Sequence, residues 1–332
     1  MSSTNASSSA FGWDFQVNAG IVLLLMNMFE AESVRIEGKT EDVEITFANG
    51  QKVFAQAKSI FDPDDNSHAI DKLKGALTTL NNASESPKTE RLVYVTNSPN
   101  PFNDVKTMSA FTGSCAYLPY ANLPQACKDT IDTICTGQKH TLLRNNLAIL
   151  VFDFRGDGEN RYRIVKEKVN ELLAHLTLSD RGWGKQTLDL WHSELGHNAS
   201  QHDLQKCITK KQMIWPLIVW LCEVGGDDVR FNDCDEAEVN ELLASYKVVI
   251  CDSTERFEFV TKVMTAYSGF EPGLQSKTRT ERFVSERWKD YKSAFALLNA
   301  EDSIMEKIIK IAVHNVIKSR RHIDSVKKAV NL

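Results

Sequence analysis

The run DVEITFANGQKVFAQAK, Asp42 to Lys58, decides the fold. Val43, Ile45 and Phe47 alternate with polar residues, and Val53, Ala55 and Ala57 do the same beyond Asn49-Gly50, so period two and the turn pair specify a β-hairpin. If both apolar sets face one core, position 43 must lie opposite 55 and 45 opposite 53. The connecting loop then holds three residues, Ala48-Asn49-Gly50, with Gly50 left-handed in a bulged turn. In that register Asp42 pairs with Gln56 on the opposite, polar face, and Lys58 is its diagonal neighbour.

Upstream, Val34-Arg35-Ile36-Glu37 alternates in the same way before the turn Gly38-Lys39-Thr40, giving a three-stranded antiparallel meander. Ahead of it, Asp14 to Glu30 spaces Phe15, Ala19, Val22, Leu23, Met26 and Phe29 near a helical repeat. Downstream, Ser67 is placed to cap a helix from His68 to Leu80, and Arg91 to Thr96 reads as a fourth strand. Ala110 to His140 lacks a clear period and reads as short helices and loops. Leu147 to Phe152 is an apolar run suited to a buried strand.

After Arg155-Gly-Asp-Gly158 the pattern is helical over Arg161–Leu176, Leu188–His197, Asp203–Leu221, Glu236–Lys247, Thr254–Tyr267, Thr280–Leu298 and Ser303–Val330. Val248 to Cys251 is the one convincing interruption. The expected architecture is therefore α/β over residues 11–155, with a mixed sheet flanked by helices, followed by an all-α domain over 156–332. Residues 1–10, rich in serine, read as a disordered leader.

The 332 residues suffice for two cores, because single cores rarely grow past about 300 residues. Charged residues at 25% and aromatics at 9% exclude wholesale disorder and a simple coiled coil. The longest apolar stretch, Ala19 to Phe29, is short of the roughly 20 residues a membrane span needs and is broken by Gly20 and Asn27. The first ten residues lack the basic start of a secretory signal. Seven cysteines, an odd number without a CxxC pair, favour reduced thiols and a cytoplasmic setting. Cys127, Cys135 and His140 match no ordinary zinc spacing and read as buried or incidental groups. Net charge is -5 overall, yet Lys277 to Leu332 carries +6, so an anionic ligand or acidic partner at that end competes with a solvated helix face.

The hairpin carries the chemistry. Asp42, Gln56 and Lys58 on adjacent strands, with Glu37 joining from the preceding one, supply the carboxylate, second oxygen ligand and cation that metal-assisted phosphodiester cleavage requires. A hard divalent cation, magnesium or its substitute manganese, would use Asp42 first, then the Ala57 carbonyl, with Glu37 and Gln56 as further oxygen ligands. Lys58 would stabilise charge developing on the phosphate or position the attacking water. Asp and Lys on a sheet face also form plain salt bridges, and the pattern alone permits both readings.

Glu37, then Asp42-Val-Glu-Ile, then Gln56-Ala-Lys58, a helix and the strand Val93-Tyr-Val-Thr-Asn97 together resemble the PD-(D/E)xK restriction-endonuclease superfamily in its QxK variant. Gly12-Trp-Asp-Phe-Gln16, opening the first helix, makes the chain more narrowly similar to nuclease domains of bacterial anti-phage effectors. Those domains occur in CBASS effector endonucleases, in Lamassu systems beside an SMC-like ATPase, and beside HerA-like ATPases. The resemblance covers residues 11 to 100 by motif. It implies catalytic positions for Asp42, Gln56 and Lys58, with Glu37 restoring the charge that Gln56 lacks, and a site or backbone contact for Gln16. It further implies double-stranded DNA as substrate, an SMC-like ATPase with an accessory subunit as partners, and homo-oligomerisation on activation. The competing expectations are a noncatalytic interaction subunit of such a complex and an RNA-cutting nuclease.

Other constellations point less far. His192, His197 and His202 recur every five residues, about 500° of helix, so they do not share a face and read as surface histidines. No GxxxxGK[ST], GxGxxG or nucleophile elbow occurs, which argues against an intrinsic ATPase or an acyl hydrolase. Trp215 to Leu221 reads as core. The last helix is expected to bury Ile308, Ile309, Ala312, Val316, Ile323 and Val326 and to expose Lys318, Arg320, Arg321, Lys327 and Lys328.

Overall fold

The computed structural model describes residues 6–62, 65–222, 237, 241–242, 245–246, 257–296, 298 and 300–332. The expected short element at Val248 to Cys251, and with it Cys234 and Cys251, lies outside the described residues. The chain divides into two compact units after Met213.

The first unit is built on a seven-stranded mixed sheet. In chain order its elements are α1 (Ala6–Met26), β1 (Ala31–Ile36), β2 (Val43–Phe47), β3 (Lys52–Lys58), α2 (Ala69–Ser84), β4 (Thr89–Thr96), β5 (Cys115–Pro119), α3 (Gln125–Gly137), β6 (Leu147–Phe152), α4 (Arg163–His175), α5 (Gly184–Ala199) and β7 (Ile208–Thr209). The spatial order is β5-β6-β4-β3-β2-β1-β7. β1, β2 and β3 form the antiparallel meander, β3, β4 and β6 run parallel, and β5 and β7 close the edges antiparallel.

The register of the hairpin is the one its alternation dictates: Val43 pairs with Ala55 and Ile45 with Val53. Phe47 accepts the Gly50 N–H at 2.9 Å and donates to the Gln51 carbonyl at 2.9 Å, which leaves Ala48-Asn49-Gly50 as the loop. Gly50 has φ +79°, a conformation that costs an L side chain about 1–2 kcal/mol and glycine almost nothing.

Both faces of the sheet are covered. Phe54, Leu92, Tyr94, Leu147, Ile149 and Val151 join Leu73, Leu77 and Leu80 of α2 and Cys127, Ile131 and Cys135 of α3 in one buried cluster. The face expected to be polar is thus polar only where the hairpin ends. The opposite face packs under α1, where Phe15 stacks on Phe152 at 5.0 Å. Gly20 lets the helix approach so closely that an added Cβ would overlap Ile36. Over Ser7–Met26 this helix is long and apolar enough to cross a membrane by composition alone. It is instead the central core helix, with Val17, Ile21, Val22, Leu23 and Leu24 at most 1% exposed.

Several boundaries differ from the sequence reading. Residues 6–10, read as part of a disordered leader, are the first turns of α1. Ser67 does not cap α2; its N–H is taken by Asp65 Oδ1 at 2.9 Å and His68 occupies the cap position. The aperiodic stretch 110–140 hides the edge strand β5 and the amphipathic helix α3. The first unit extends past residue 155 because α4 and α5 pack on α1, and because Ile208–Thr209, read as helix, pairs with Val34 and Ser33.

Two polar anchors hold those additions. Arg35 is 1% exposed, and its guanidinium donates to the carbonyls of Asn198 (2.5 Å), Lys206 (3.0 Å) and Gln201 (3.1 Å). Arg35→Met keeps the volume but strands three buried acceptors, so chemical denaturation should report a loss of about 3 kcal/mol. A loss within 0.5 kcal/mol would show that water replaces the guanidinium without cost.

Asp14 of α1 is the second anchor. It accepts from Asn18 Nδ2 (3.0 Å) and Tyr162 Oη (2.9 Å), meets His192 Nε2 at 2.9 Å and lies 3.4 Å from Arg161. His192 is therefore no incidental surface histidine. Burial raises the Asp14 pKa, but hydrogen bonds from His192 and Tyr162, with the charges of His192 and Arg161, together hold it below its ordinary value. Its stabilisation is present above pH ~4 and lost as pH falls through that lowered value. Asp14→Ala should thus cost about 2 kcal/mol at pH 7, with the difference from native shrinking below pH ~4 in urea melts.

The second unit is helical where described: α6 (Lys210–Leu221) crosses the division, followed by α7 (Phe257–Gly269), α8 (Ser276–Arg287), a 3₁₀ segment (Trp288–Phe295) and α9 (Asp302–Ala329). Ile308, Ile309, Ala312, Val316, Ile323 and Val326 of α9 are buried, and Leu217, Ile218 and Val219 of α6 are core. Arg320 is not simply solvated: it donates to Ser276 Oγ at 3.2 Å and lies over the Tyr267 ring.

Candidate active site

The site forms where β2 begins and β3 ends. Asp42 sits one residue before β2, opposite Gln56, and its Oδ2 receives the Gln56 side-chain amide and the Ala57 N–H, the latter at 3.0 Å. Lys58 Nζ lies 4.0 Å from the same oxygen. The three expected residues are thus brought together on a rigid hairpin end. Both ends of the Gln56 amide are engaged, because its Oε1 accepts from Thr79 of α2 at 2.5 Å. Gln56 therefore positions Asp42 instead of offering an uncommitted oxygen ligand. N–H and C=O of one strand residue point to the same lateral side, so the Ala57 carbonyl faces the Asp42 side of β3, as a main-chain ligand must.

Glu37 ends β1 in a left-handed conformation, φ 52°, which non-glycine residues rarely adopt and which recurs at functional sites. Its N–H bonds the Asp42 carbonyl at 2.8 Å and the Gly38 N–H bonds the Glu41 carbonyl at 3.0 Å, closing the β1–β2 turn with Glu37 and Glu41 each within reach of the Asp42 charge. Gly38 is required there, since a Cβ would overlap the Glu44 side chain, itself held by the Thr40 N–H (2.9 Å) and Lys52 (2.8 Å). Burial and the charge of Asp42 raise the Glu37 pKa, against a hydrogen bond from Gln16 and the charges of Lys58 and Arg35. Gln16 of α1 thereby joins the site.

Glu41 is the residue the sequence reading overlooked. It is 4% exposed, and neither carboxylate oxygen has a hydrogen-bond partner. Burial, then the charge of Asp42, pushes its pKa up to about 8. Lys58 and the nearby Thr79 hydroxyl offset this only in part, Thr79 being directed at Gln56 and the Ala76 carbonyl. A buried, unpartnered carboxylate beside a second one is the arrangement a cation would relieve. Among the described residues, no three His, Cys, Asp or Glu side chains stand together as a ready metal cluster. A cation here would draw on the main chain and water as well, which suits magnesium, an ion that keeps several waters and takes one or two carboxylates.

A cleft of about 590 Å³ opens at the end of β3, between the start of α1 and the loop leading to α2. Lys58, Ala57 and Gln16 reach into its lining, together with Trp13, Phe61 and Lys72. Ile60, on its lining, is held by Asn97, which accepts the Ile60 N–H at 2.7 Å and donates to the carbonyls of Ile60 (2.8 Å) and Phe154 (3.0 Å). No family model, curated protein or solved structure matches the chain.

Proposed function

We propose that the chain is a magnesium-dependent DNA endonuclease whose centre comprises Asp42, Glu41, Glu37, Gln56, Ala57 and Lys58. The observation that carries the reading is the unpartnered buried Glu41 carboxylate beside Asp42, with Lys58 4.0 Å from Asp42 at the edge of an open cleft. The sheet supports a restriction-endonuclease-like fold: an antiparallel meander leads through β3 into the parallel pair β3–β4 by way of α2.

Asp42, Glu41 and the Ala57 carbonyl would hold the cation, with Glu37 close by. When bound, magnesium supplies positive charge that polarises the phosphoryl group and acidifies water. Gln56 and the Ala57 N–H fix the Asp42 carboxylate in one orientation. Lys58 presents a point charge to the phosphate where negative charge grows, and donates hydrogen bonds to orient the incoming water. Gln16, near Glu37 and on the lining of the cleft, would offer its amide to the nucleic-acid backbone.

In the cell, the resemblance of residues 11 to 100 supports an effector subunit of an anti-phage or anti-plasmid complex in the cytoplasm. It would be held inactive until an SMC-like ATPase and accessory subunit, or alternatively a HerA-like ATPase, or self-association, activates it. The test incubates the full chain, up to concentrations at which it can self-associate, with end-labelled duplex DNA, single-stranded DNA and RNA of one sequence, in magnesium or EDTA. Magnesium-dependent DNA fragments are expected, and cutting confined to RNA, or unaffected by EDTA, would overturn the assignment.

A further inference from the structure

Trp13 and Phe61 stand at the cleft that Lys58 and Ala57 enter, and both are unusually open for large aromatics, at 40% and 62% exposure. Phe61 meets Phe11 edge-on at 5.4 Å, a contact that fixes one edge of its ring. Apolar faces of this size are normally covered, and where they flank a polar cleft they mark a binding surface.

The cleft's volume matches pockets that enclose a single drug-sized molecule, the size class of one nucleotide, and a double helix does not fit inside it. Its charges are mixed. Lys58 and Lys72 favour an anion, whereas Asp62 and Asp65 on the same lining repel a run of phosphates. The occupant that satisfies all of these presents one phosphate towards Lys58 and an uncharged, flat ring to the aromatics.

We infer that the cleft takes an unpaired nucleobase, stacked on Trp13 and Phe61, so that the strand is presented to Lys58 at a single-stranded, frayed or flipped-out position. This rests on the nuclease reading and narrows its substrate class. Base stacking is tolerant of sequence because every base has a π-face.

The experiment measures anisotropy of labelled dT20 and of a blunt 20-base-pair duplex with the full chain in calcium at low salt, for native protein, Trp13→Ala, Phe61→Ala and Lys58→Ala. Folding is checked by circular dichroism, and cutting in magnesium is scored in parallel. Native protein should prefer dT20, and each aromatic variant should lower the ratio of dT20 to duplex affinity about tenfold. An unchanged ratio, preference for the duplex, or no nucleic-acid binding by native protein would overturn the inference. An unchanged ratio with magnesium cutting that Lys58→Ala abolishes sinks the stacking site alone. Aromatic-dependent dT20 binding without any cutting leaves a binding cleft and sinks the nuclease reading.

Discussion

Glu41→Gln is expected to abolish cutting while making the metal-free protein more stable at alkaline pH. The two effects share one cause. In the native chain Glu41 titrates at about 8, against about 4.5 when unfolded. Between those values the folded state holds a proton that the unfolded state has released, so stability falls as pH rises and levels off above pH ~8. Glutamine has no charge to bury, so in EDTA its advantage should be absent below pH ~4.5 and grow to about 5 kcal/mol by pH 9. Magnesium should reverse the order, stabilising native protein at pH 9 but not the variant. Thermal melts at pH 5, 7 and 9, with EDTA or magnesium, read all of this. A native protein whose stability rises between pH 5 and 9 in EDTA would show that Glu41 is already ionised and partnered.

Asp42→Asn should be as damaging to activity and nearly silent in stability. Asparagine can still accept the Ala57 N–H, so the local fold persists, but the charge that draws in a cation and pairs with Lys58 is gone. The cutting rate should fall at least about 10³-fold, the scale for removing a preorganised electrostatic group. The unfolding free energy should change by less than ~1 kcal/mol, because relief of the repulsion on Glu41 and Glu37 offsets the lost bonds. A variant that cuts within tenfold of native protein would remove Asp42 from the centre.

The hairpin and its polar end were legible because two strong local signals agreed: period-two alternation and an Asn-Gly turn. A one-residue slip would have separated Asp42 from Gln56, so pairing 43 with 55 located the site as well as the fold. What was missed depends on partners far away in sequence. β7 is two residues long and has no period of its own; it is a strand only because β1 lies beside it. The first unit's true extent depends on Arg35 reaching carbonyls more than 160 residues on. Glu41 carried no signal of its own, because burying a carboxylate contradicts residue preference and becomes visible only once the turn and α2 are in place.

The most direct test of the account is conversion of supercoiled plasmid to nicked and linear forms by the full chain in magnesium, over a wide protein concentration range, against Lys58→Ala. Lys58 is partly exposed, and its loss leaves the strand pairing of β3 intact. Conversion by native protein is expected, with none in EDTA and at least about a 10³-fold loss in the variant. Conversion that survives Lys58→Ala unchanged would contradict the hydrolytic centre described here.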